Sequence, residues 1–433
     1  MKYMTSLLLR STLIVAFAAL PALGCSDVGS HSNTANGENG GASGAAGAGS
    51  GGANGDVSAH TYTYSDPNIV YSGRIQFQDG KAPRFTAPAV TISARFKGIG
   101  ASMRINDNAG TANYFDVIID DQLADVAKVK ADNDGNALLA KDLAYGEHTI
   151  DIVRRTEANV GSVDFRSLTF EGEILAPRSA PPHKIEIIGD SISAGSGNEA
   201  LNNSDECNED YSRPYSSASK AWGPMLARHL NAEYQVTAVS GIGMTRNYNC
   251  NDKNTMPVIY DRLFVESASS PEYDHSLFVP DAVLIMIGTN DFSPAGCERQ
   301  ALNETVDPEG YRLFLTTLTE FVTKLRGYYP DAQIFLLASP MLNDGWPDAT
   351  YTSNTSQRAA ITQVADDVNA ADGAGKLHVI LPDYASARYV GRGCGTHPNV
   401  WEHGIIAGED STKPDSPIPA TLILNPVKEV MGW

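Results

Sequence analysis

Two short stretches of this chain carry residue types that could do chemistry. Gly189-Asp190-Ser191 follows the apolar run Ile185 to Ile188, and His397 lies far downstream in Gly395-Thr396-His397-Pro398-Asn399. A serine at the exit of a buried parallel strand, matched to a histidine near the end of the same domain, is the pairing from which α/β hydrolytic enzymes assemble nucleophile and base. The chemistry to expect is acyl transfer to water. A single Gly-Asp-Ser would be weak evidence, because Asp and Ser also cap helices and follow strands for that reason. Two further blocks strengthen it: Ser240-Gly241-Ile242-Gly243 after a second apolar run and Gly288-Thr289-Asn290-Asp291 after a third. Ligands of open α/β sheets bind beyond the carboxyl ends of the strands, so these loops are expected to converge on one face.

Such loops need a parallel sheet to hold them, and the second half of the chain reads as one. Ile185 to Ile188, Val236 to Val239, Val283 to Ile287, Ile334 to Leu337 and Leu377 to Leu381 read as strands, with helices over Trp222 to Leu230, Tyr311 to Leu325 and Arg358 to Val368. Near-continuous apolar strands between amphipathic helices imply a three-layer α/β domain with a parallel sheet covered on both faces, here assigned to 183–433. Ahead of a proline-rich joint, Ala176-Pro177 through Pro181-Pro182, residues 61–178 carry short alternating runs: Arg74 to Gln78, Val90 to Phe96, Phe115 to Ile119 and Thr149 to Val153. Gly, Asn and Asp turns separate them, which implies an all-β jelly-roll sandwich. Such a sandwich either binds sugar or serves as a packing partner.

The chain has 433 residues and a formal net charge of −19 with only 32 Lys and Arg. Without a clustered positive face it is not expected to bind nucleic acid or an anionic membrane surface. Residues 1–25 read as an export signal, with Lys2 and Arg10 before Leu13 to Leu20, a stretch too short to span a bilayer. Gly24-Cys25 resembles the cleavage site of bacterial lipoproteins, which would put a lipid on Cys25 and the protein at the outer membrane or cell surface. Simple secretion or a periplasmic location is the alternative. Residues 26–60, rich in Gly, Ala, Ser and Asn, read as a flexible tether, with a reach of about 30 Å.

Once Cys25 is set aside, Cys207, Cys250, Cys297 and Cys394 remain, an even number suited to disulfides in an exported protein. Three pairings are open. Cys207 with Cys250 and Cys297 with Cys394 is favoured, since the last two fall in loops expected on the catalytic face. The sequence has no Cys-x-x-Cys or His-x-x-x-His spacing, so no metal site is expected, and the chemistry calls for no cofactor.

In their order the four blocks resemble the SGNH hydrolase superfamily, named for a serine, a glycine, an asparagine and a histidine in successive blocks. The preceding sandwich, the stretch Ser240 to Tyr248 and the surroundings of His397-Pro398 resemble carbohydrate esterase family 2, over roughly residues 70 to 433. The resemblance implies Ser191 as nucleophile and His397 as general base. It implies an oxyanion hole made by the amides of Ser191 and Gly241 and the side chain of Asn290, with Gly243 as the nearby alternative to Gly241. Glycine is expected at 241 because a side chain there would obstruct the substrate. Asn290 could otherwise simply form a turn. His403 is the fallback base, although it fits better as the start of the last helix.

One departure from the pattern matters. The superfamily's aspartate stands three, or in family members two, residues before the histidine, where this chain has Cys394 and Gly395. A Ser-His dyad is therefore expected, in which a backbone carbonyl of the Arg392 to Gly395 loop accepts the Nδ1 proton; an acid from elsewhere is the alternative. A disulfide at Cys394 would steady that loop. Trp401 and Asp190 are candidate substrate contacts, Trp346 could also stack on a sugar ring, and Trp222 is read as core. The implied activity is removal of O-acetyl groups from plant-type polysaccharides or oligosaccharides, xylan or mannan, through an acetyl-serine. Two alternatives stand beside it: a lipase, thioesterase or aryl esterase of the same superfamily, and a tethered, non-catalytic polysaccharide-binding lipoprotein.

Overall fold

Strand alternation organises the first region of the computed structural model, which describes residues 57–433 apart from 111, 124–125, 201–206, 208–212, 295–298, 385–389 and 409–421. The export signal, Cys25, most of the tether and Cys297 lie outside the described residues. Ten strands follow: β1 (Ala59–Thr63), β2 (Val70–Ser72), β3 (Gln76–Gln78), β4 (Lys81–Phe85), β5 (Thr91–Asp107), β6 (Phe115–Ile119), β7 (Ala127–Val129), β8 (Asn136–Ala140), β9 (Gly146–Arg154) and β10 (Val163–Leu175). They pair antiparallel in the order β3-β4-β10-β5-β9-β6-β7, with β1 on β10 and β2 and β8 on β5. Their inward residues, among them Phe85, Phe96, Ile150, Phe165 and Phe170, form a core of their own.

Two of the boundaries that differ from the sequence reading do so for a clear local reason. β1 starts at Ala59, inside the stretch read as tether, because its backbone pairs Ala59 with Glu171 and needs no apolar side chains to do so. β5 runs 17 residues rather than seven, since Gly98 and Gly100 break the apolar pattern without ending the strand. The glycines sit where the pairing with β10 shifts register at Glu171 and Gly172, and a Cβ on Gly98 would lie 2.1 Å from the Glu171 carbonyl oxygen. A bulge of this kind accepts little but glycine.

The second region alternates strand and helix. β11 (His183–Gly189) leads into the short α1 (Ser191–Ala194), then come α2 (Trp222–His229), β12 (Ala232–Ala238), α3 (Met256–Ile259), β13 (Ala282–Met286) and α4 (Thr289–Phe292). α5 (Pro308–Tyr328), β14 (Gln333–Leu337), α6 (Ser353–Asp372), β15 (Leu377–Ile380), α7 (Val400–Ala407) and α8 (Leu424–Met431) complete it. The five strands are all parallel, in the order β12-β11-β13-β14-β15, and every residue of β13 is buried, as a sheet covered on both faces requires. Separate apolar clusters pack the two faces, one around Phe314, Leu318 and Val364, the other around Trp222, Leu226 and Ile406.

The register of this sheet places the site. Gly189 pairs with Ala238 on one side and Met286 on the other, so the loops that begin at Asp190, Val239 and Ile287 leave the sheet side by side.

The two regions are one compact unit, tied by buried charge. Glu186, in the middle of β11, is wholly buried, and its carboxylate takes hydrogen bonds from Arg74 (3.3 Å), Gln235 (3.1 Å), Thr237 (3.0 Å) and Tyr260 (2.8 Å). Arg155, the residue after β9, likewise pairs with Asp116 and Glu199 and donates to the Ser216 carbonyl at 3.1 Å. Breaking a buried pair from one side strands the other charge, at a cost of about 3–5 kcal/mol. Arg74→Met is expected to lower unfolding stability by about that amount and to leave one cooperative transition in urea. Stability within about 0.5 kcal/mol of wild type would show that the Arg74–Glu186 pair does not tie the regions.

Candidate active site

Ser191 is set by its two neighbours. Gly189 ends β11 with space for nothing larger, since a Cβ there would lie 2.2 Å from Ser193 Oγ and 2.7 Å from the Met286 carbonyl oxygen. Asp190 caps the turn: its Oδ1 accepts from the Ile192 amide at 3.0 Å, and burial raises its pKa to about 6. Being wholly buried, Asp190 faces the protein interior, which corrects the expectation that it touches substrate. Ser191, 7% exposed, is left with its hydroxyl at the rim.

His397 comes from the far end of the chain and meets it. Its Nε2 stands 2.7 Å from Ser191 Oγ and its Nδ1 stands 2.6 Å from the Cys394 carbonyl oxygen. With the carbonyl as obligate acceptor, Nδ1 carries the proton and Nε2 is the acceptor for the Ser191 hydroxyl. Burial lowers the imidazole's pKa, opposed by the Cys394 carbonyl and by the charge of Glu157, so the neutral, proton-accepting form is favoured at neutral pH.

The loop that brings the carbonyl is heavily held. Cys394 forms a disulfide with Cys207 and its amide donates to the Gly197 carbonyl at 3.2 Å. This corrects the expected pairing of Cys207 with Cys250 and of Cys297 with Cys394; Cys250 is itself disulfide-bonded. Cys207 follows α1 in sequence and stands beside the Cys394 loop in space, which loop order along the chain does not reveal. Glu402, 1% exposed, accepts from the amides of Val390, Gly391 and Arg392 and from Asn399, whose side chain in turn caps Glu402. The reading of the sequence passed over Glu402, although Asn399-x-x-Glu402 is the spacing of a reciprocal helix cap.

The second and third loops meet around one amide. Gly241 has φ +76, a backbone conformation that calls for glycine, while a Cβ there would meet no protein atom closer than Tyr248 Cβ at 3.7 Å. Gly243 is not available as the alternative donor, because its amide donates to Asn247 Oδ1 at 2.9 Å. Asp291 takes the amides of Met244, Thr245 and Arg246, another holding residue the sequence reading left unassigned. Asn290, 7% exposed, spends one amide hydrogen on the Ile242 carbonyl at 2.7 Å and keeps its second. The loops thus present an alcohol, an imidazole and three N–H groups with no acceptor among the described residues, on the Ser191 and Gly241 amides and on Asn290 Nδ2, a set suited to attack on an ester carbonyl.

Other candidates fall elsewhere. His403 is in the interior of α7, with α8 after it, and accepts the Trp222 amide through Nδ1 at 3.1 Å; buried completely, with its pKa lowered to about 3 by that burial, it neither starts the last helix nor reaches the serine. Trp222 is core. Trp401 packs on Ile405 and Leu422 with the Arg392 guanidinium 5.1 Å above its ring, while Trp346 is 64% exposed. No group of three or more His, Cys, Asp or Glu able to hold a metal occurs among the described residues.

Comparison with known proteins gives two family matches: "Carbohydrate esterase 2 N-terminal" over residues 71–178 and "GDSL-like Lipase/Acylhydrolase family" over 187–401. An acetylxylan esterase / glucomannan deacetylase of Cellvibrio japonicus is 30% identical over 269 residues, covering 60% of this chain and 69% of that one. The cellulase/esterase CelE of Acetivibrio thermocellus is 31% identical over 344 residues, 79% of this chain but only 38% of that relative's length. A family two carbohydrate esterase from Clostridium thermocellum, solved in complex with cellohexaose, superposes with a TM-score of 0.68 at 28% identity, over 84% of this chain and 99% of that one.

The disulfide's grip on the dyad is testable. Cys207→Ser is expected to lower kcat by about tenfold with KM little changed, because the carbonyl that orients His397 then wanders. Activity equal to wild type would mean that the remaining contacts suffice.

Proposed function

The chain belongs to the family 2 carbohydrate esterases, and from that we propose that it is an exported deacetylase. It would remove O-acetyl groups from plant-type polysaccharides such as xylan or mannan through an acetyl-serine. The observation that carries the reading is the line Ser191 Oγ, His397 Nε2, His397 Nδ1, Cys394 carbonyl, with separations of 2.7 and 2.6 Å at its ends. Ser191 Oγ attacks the acetyl carbonyl as its proton passes to His397 Nε2. The tetrahedral oxygen takes hydrogen bonds from the Ser191 and Gly241 amides and from Asn290 Nδ2. Collapse breaks the ester bond, and Nε2 returns the proton to the departing sugar oxygen. Water, deprotonated by the same nitrogen, then releases acetate and restores the serine.

The surroundings favour a sugar over a long acyl chain. A cleft of about 210 Å³ beside Gly241 sets Asn249, Asn251, Asn254, Arg262 and Glu266 beside the apolar Val239, Ile242, Ile259 and Val265, a mixed lining suited to a sugar's hydroxyls and its apolar ring face. The proposal keeps the N-terminal region, 61–178, as a jelly roll that packs on the catalytic domain, 183–433, and a lipid on Cys25 as the anchor. Among the described residues no helix is long and apolar enough to cross a membrane.

Purified protein is expected to release acetate from acetylated xylan and to hydrolyse long-chain para-nitrophenyl esters poorly. Ser191→Ala should abolish the reaction, and Asn290→Ala should slow kcat by about a hundredfold. Acetate release by Ser191→Ala at the normal rate would refute the acetyl-serine route; preference for long acyl chains would point to a lipase.

A further inference from the structure

The N-terminal region reaches into the site by one carboxylate. After β9 the chain enters a short turn, Ala158–Val160, in which Ala158 is wholly buried among Ile188, Ile242 and Met244 of the catalytic region. Glu157, just before it, accepts the Ser240 amide through Oε2 at 3.2 Å. The turn is fixed from behind by Arg154, a completely buried guanidinium that donates to the Glu157 carbonyl at 3.0 Å and the Gly161 carbonyl at 2.7 Å.

The hydrogen bonds of the 240–246 segment explain why that single contact matters. Ser240 donates to Glu157, Ile242 to the Val239 carbonyl, Gly243 to Asn247, and Met244, Thr245 and Arg246 to Asp291. Gly241 alone in this run has an amide with no acceptor among the described residues. Its carbonyl is taken by the Tyr248 amide at 2.8 Å, so the peptide after Gly241 is pinned. The peptide before it is steered by Ser240, whose amide would have no partner without Glu157.

We propose that Glu157 is a positioning residue for the oxyanion hole: by holding the Ser240 amide it aims the adjoining Gly241 N–H at the acyl oxygen. The N-terminal region is then part of the active site and not only a partner in packing. Glu157 touches no reacting atom. It also lies close enough to His397 for its charge to favour the imidazolium, which separates two ways it could act, through its acceptor oxygen or through its charge.

Three substitutions distinguish them. Glu157→Gln keeps an acceptor oxygen at the same reach and loses the charge. Glu157→Asp keeps the charge and withdraws the oxygen by one methylene. Glu157→Ala loses both. The inference rests on the oxyanion role proposed for Gly241 and not on the sugar, so kcat and KM are measured with para-nitrophenyl acetate, alongside the melting temperature. Glu157→Ala and Glu157→Asp should lower kcat by at least about tenfold with KM within about threefold of wild type, and Glu157→Gln should stay within about threefold of wild-type kcat. Glu157→Asp more active than Glu157→Gln, or Glu157→Ala within about twofold of wild type, overturns the proposal. Should Glu157→Ala fail to fold, the order of Gln and Asp decides alone. A wild-type protein inert toward this ester would instead strike the esterase mechanism itself.

Discussion

A neutral hydrogen bond orients His397, where a full catalytic triad has a charged one. The Nδ1 proton of His397 goes to a backbone carbonyl, and a carbonyl fixes the tautomer and the plane of the ring while offering the imidazolium less than an anion would. Charge-assisted hydrogen bonds are about twice as strong as neutral ones, so the missing attraction has to be offset by geometry fixed in advance. The surroundings of Cys394 meet that requirement. A disulfide fastens its side chain, the Gly197 carbonyl takes its amide, and the buried Glu402 gathers three successive amides just upstream. Thr396, between this carbonyl and the histidine, adopts φ +63, a left-handed conformation that costs a non-glycine residue about 1 kcal/mol, and the capped α7 immediately beyond anchors its far side.

The same reasoning extends to the opposite wall of the site. Buried Asp291 takes the Met244, Thr245 and Arg246 amides from within the catalytic region, and half-buried Glu157 takes the Ser240 amide through Oε2 from outside it. Carboxylates used in this way order loops that have no regular hydrogen-bonding of their own. Arg74 and Arg155 show why the N-terminal region can contribute with precision: each places a buried guanidinium against carboxylates or carbonyls of the catalytic half, so the two sheets share a fixed frame.

Much of this was legible in the sequence, for reasons that differ by element. The parallel strands announce themselves by their carboxyl halves, because apolar residues cluster there before a polar loop, and the serine, glycine and asparagine blocks follow from where those stretches end. Pairing in the antiparallel region was harder to see. β10 alternates buried and open positions along its second half with Thr169, Glu171 and Glu173 between apolar residues, and β5 crosses two glycines that look like a stop. The disulfide partners could not be read, since which loops touch depends on the path of the segment after α1. Glu157 gave no signal at all: an acid ahead of Ala-Asn-Val has no local pattern, and its role comes from a turn inserted into another region's core. Asp190 shows the reverse case, a residue beside the nucleophile whose type suggested contact with substrate but whose carboxylate is turned inward as a cap.

The dyad requires neutral His397 to carry its single ring proton on Nδ1. Nitrogen-15 NMR of His397 across a pH titration reads it directly. A carbonyl partner and burial give a neutral ring protonated at Nδ1, with a pKa below the ordinary 6.5. A pKa raised above that value, or a neutral ring protonated at Nε2, would mean that an acid or another arrangement supports the base, and the dyad would be wrong.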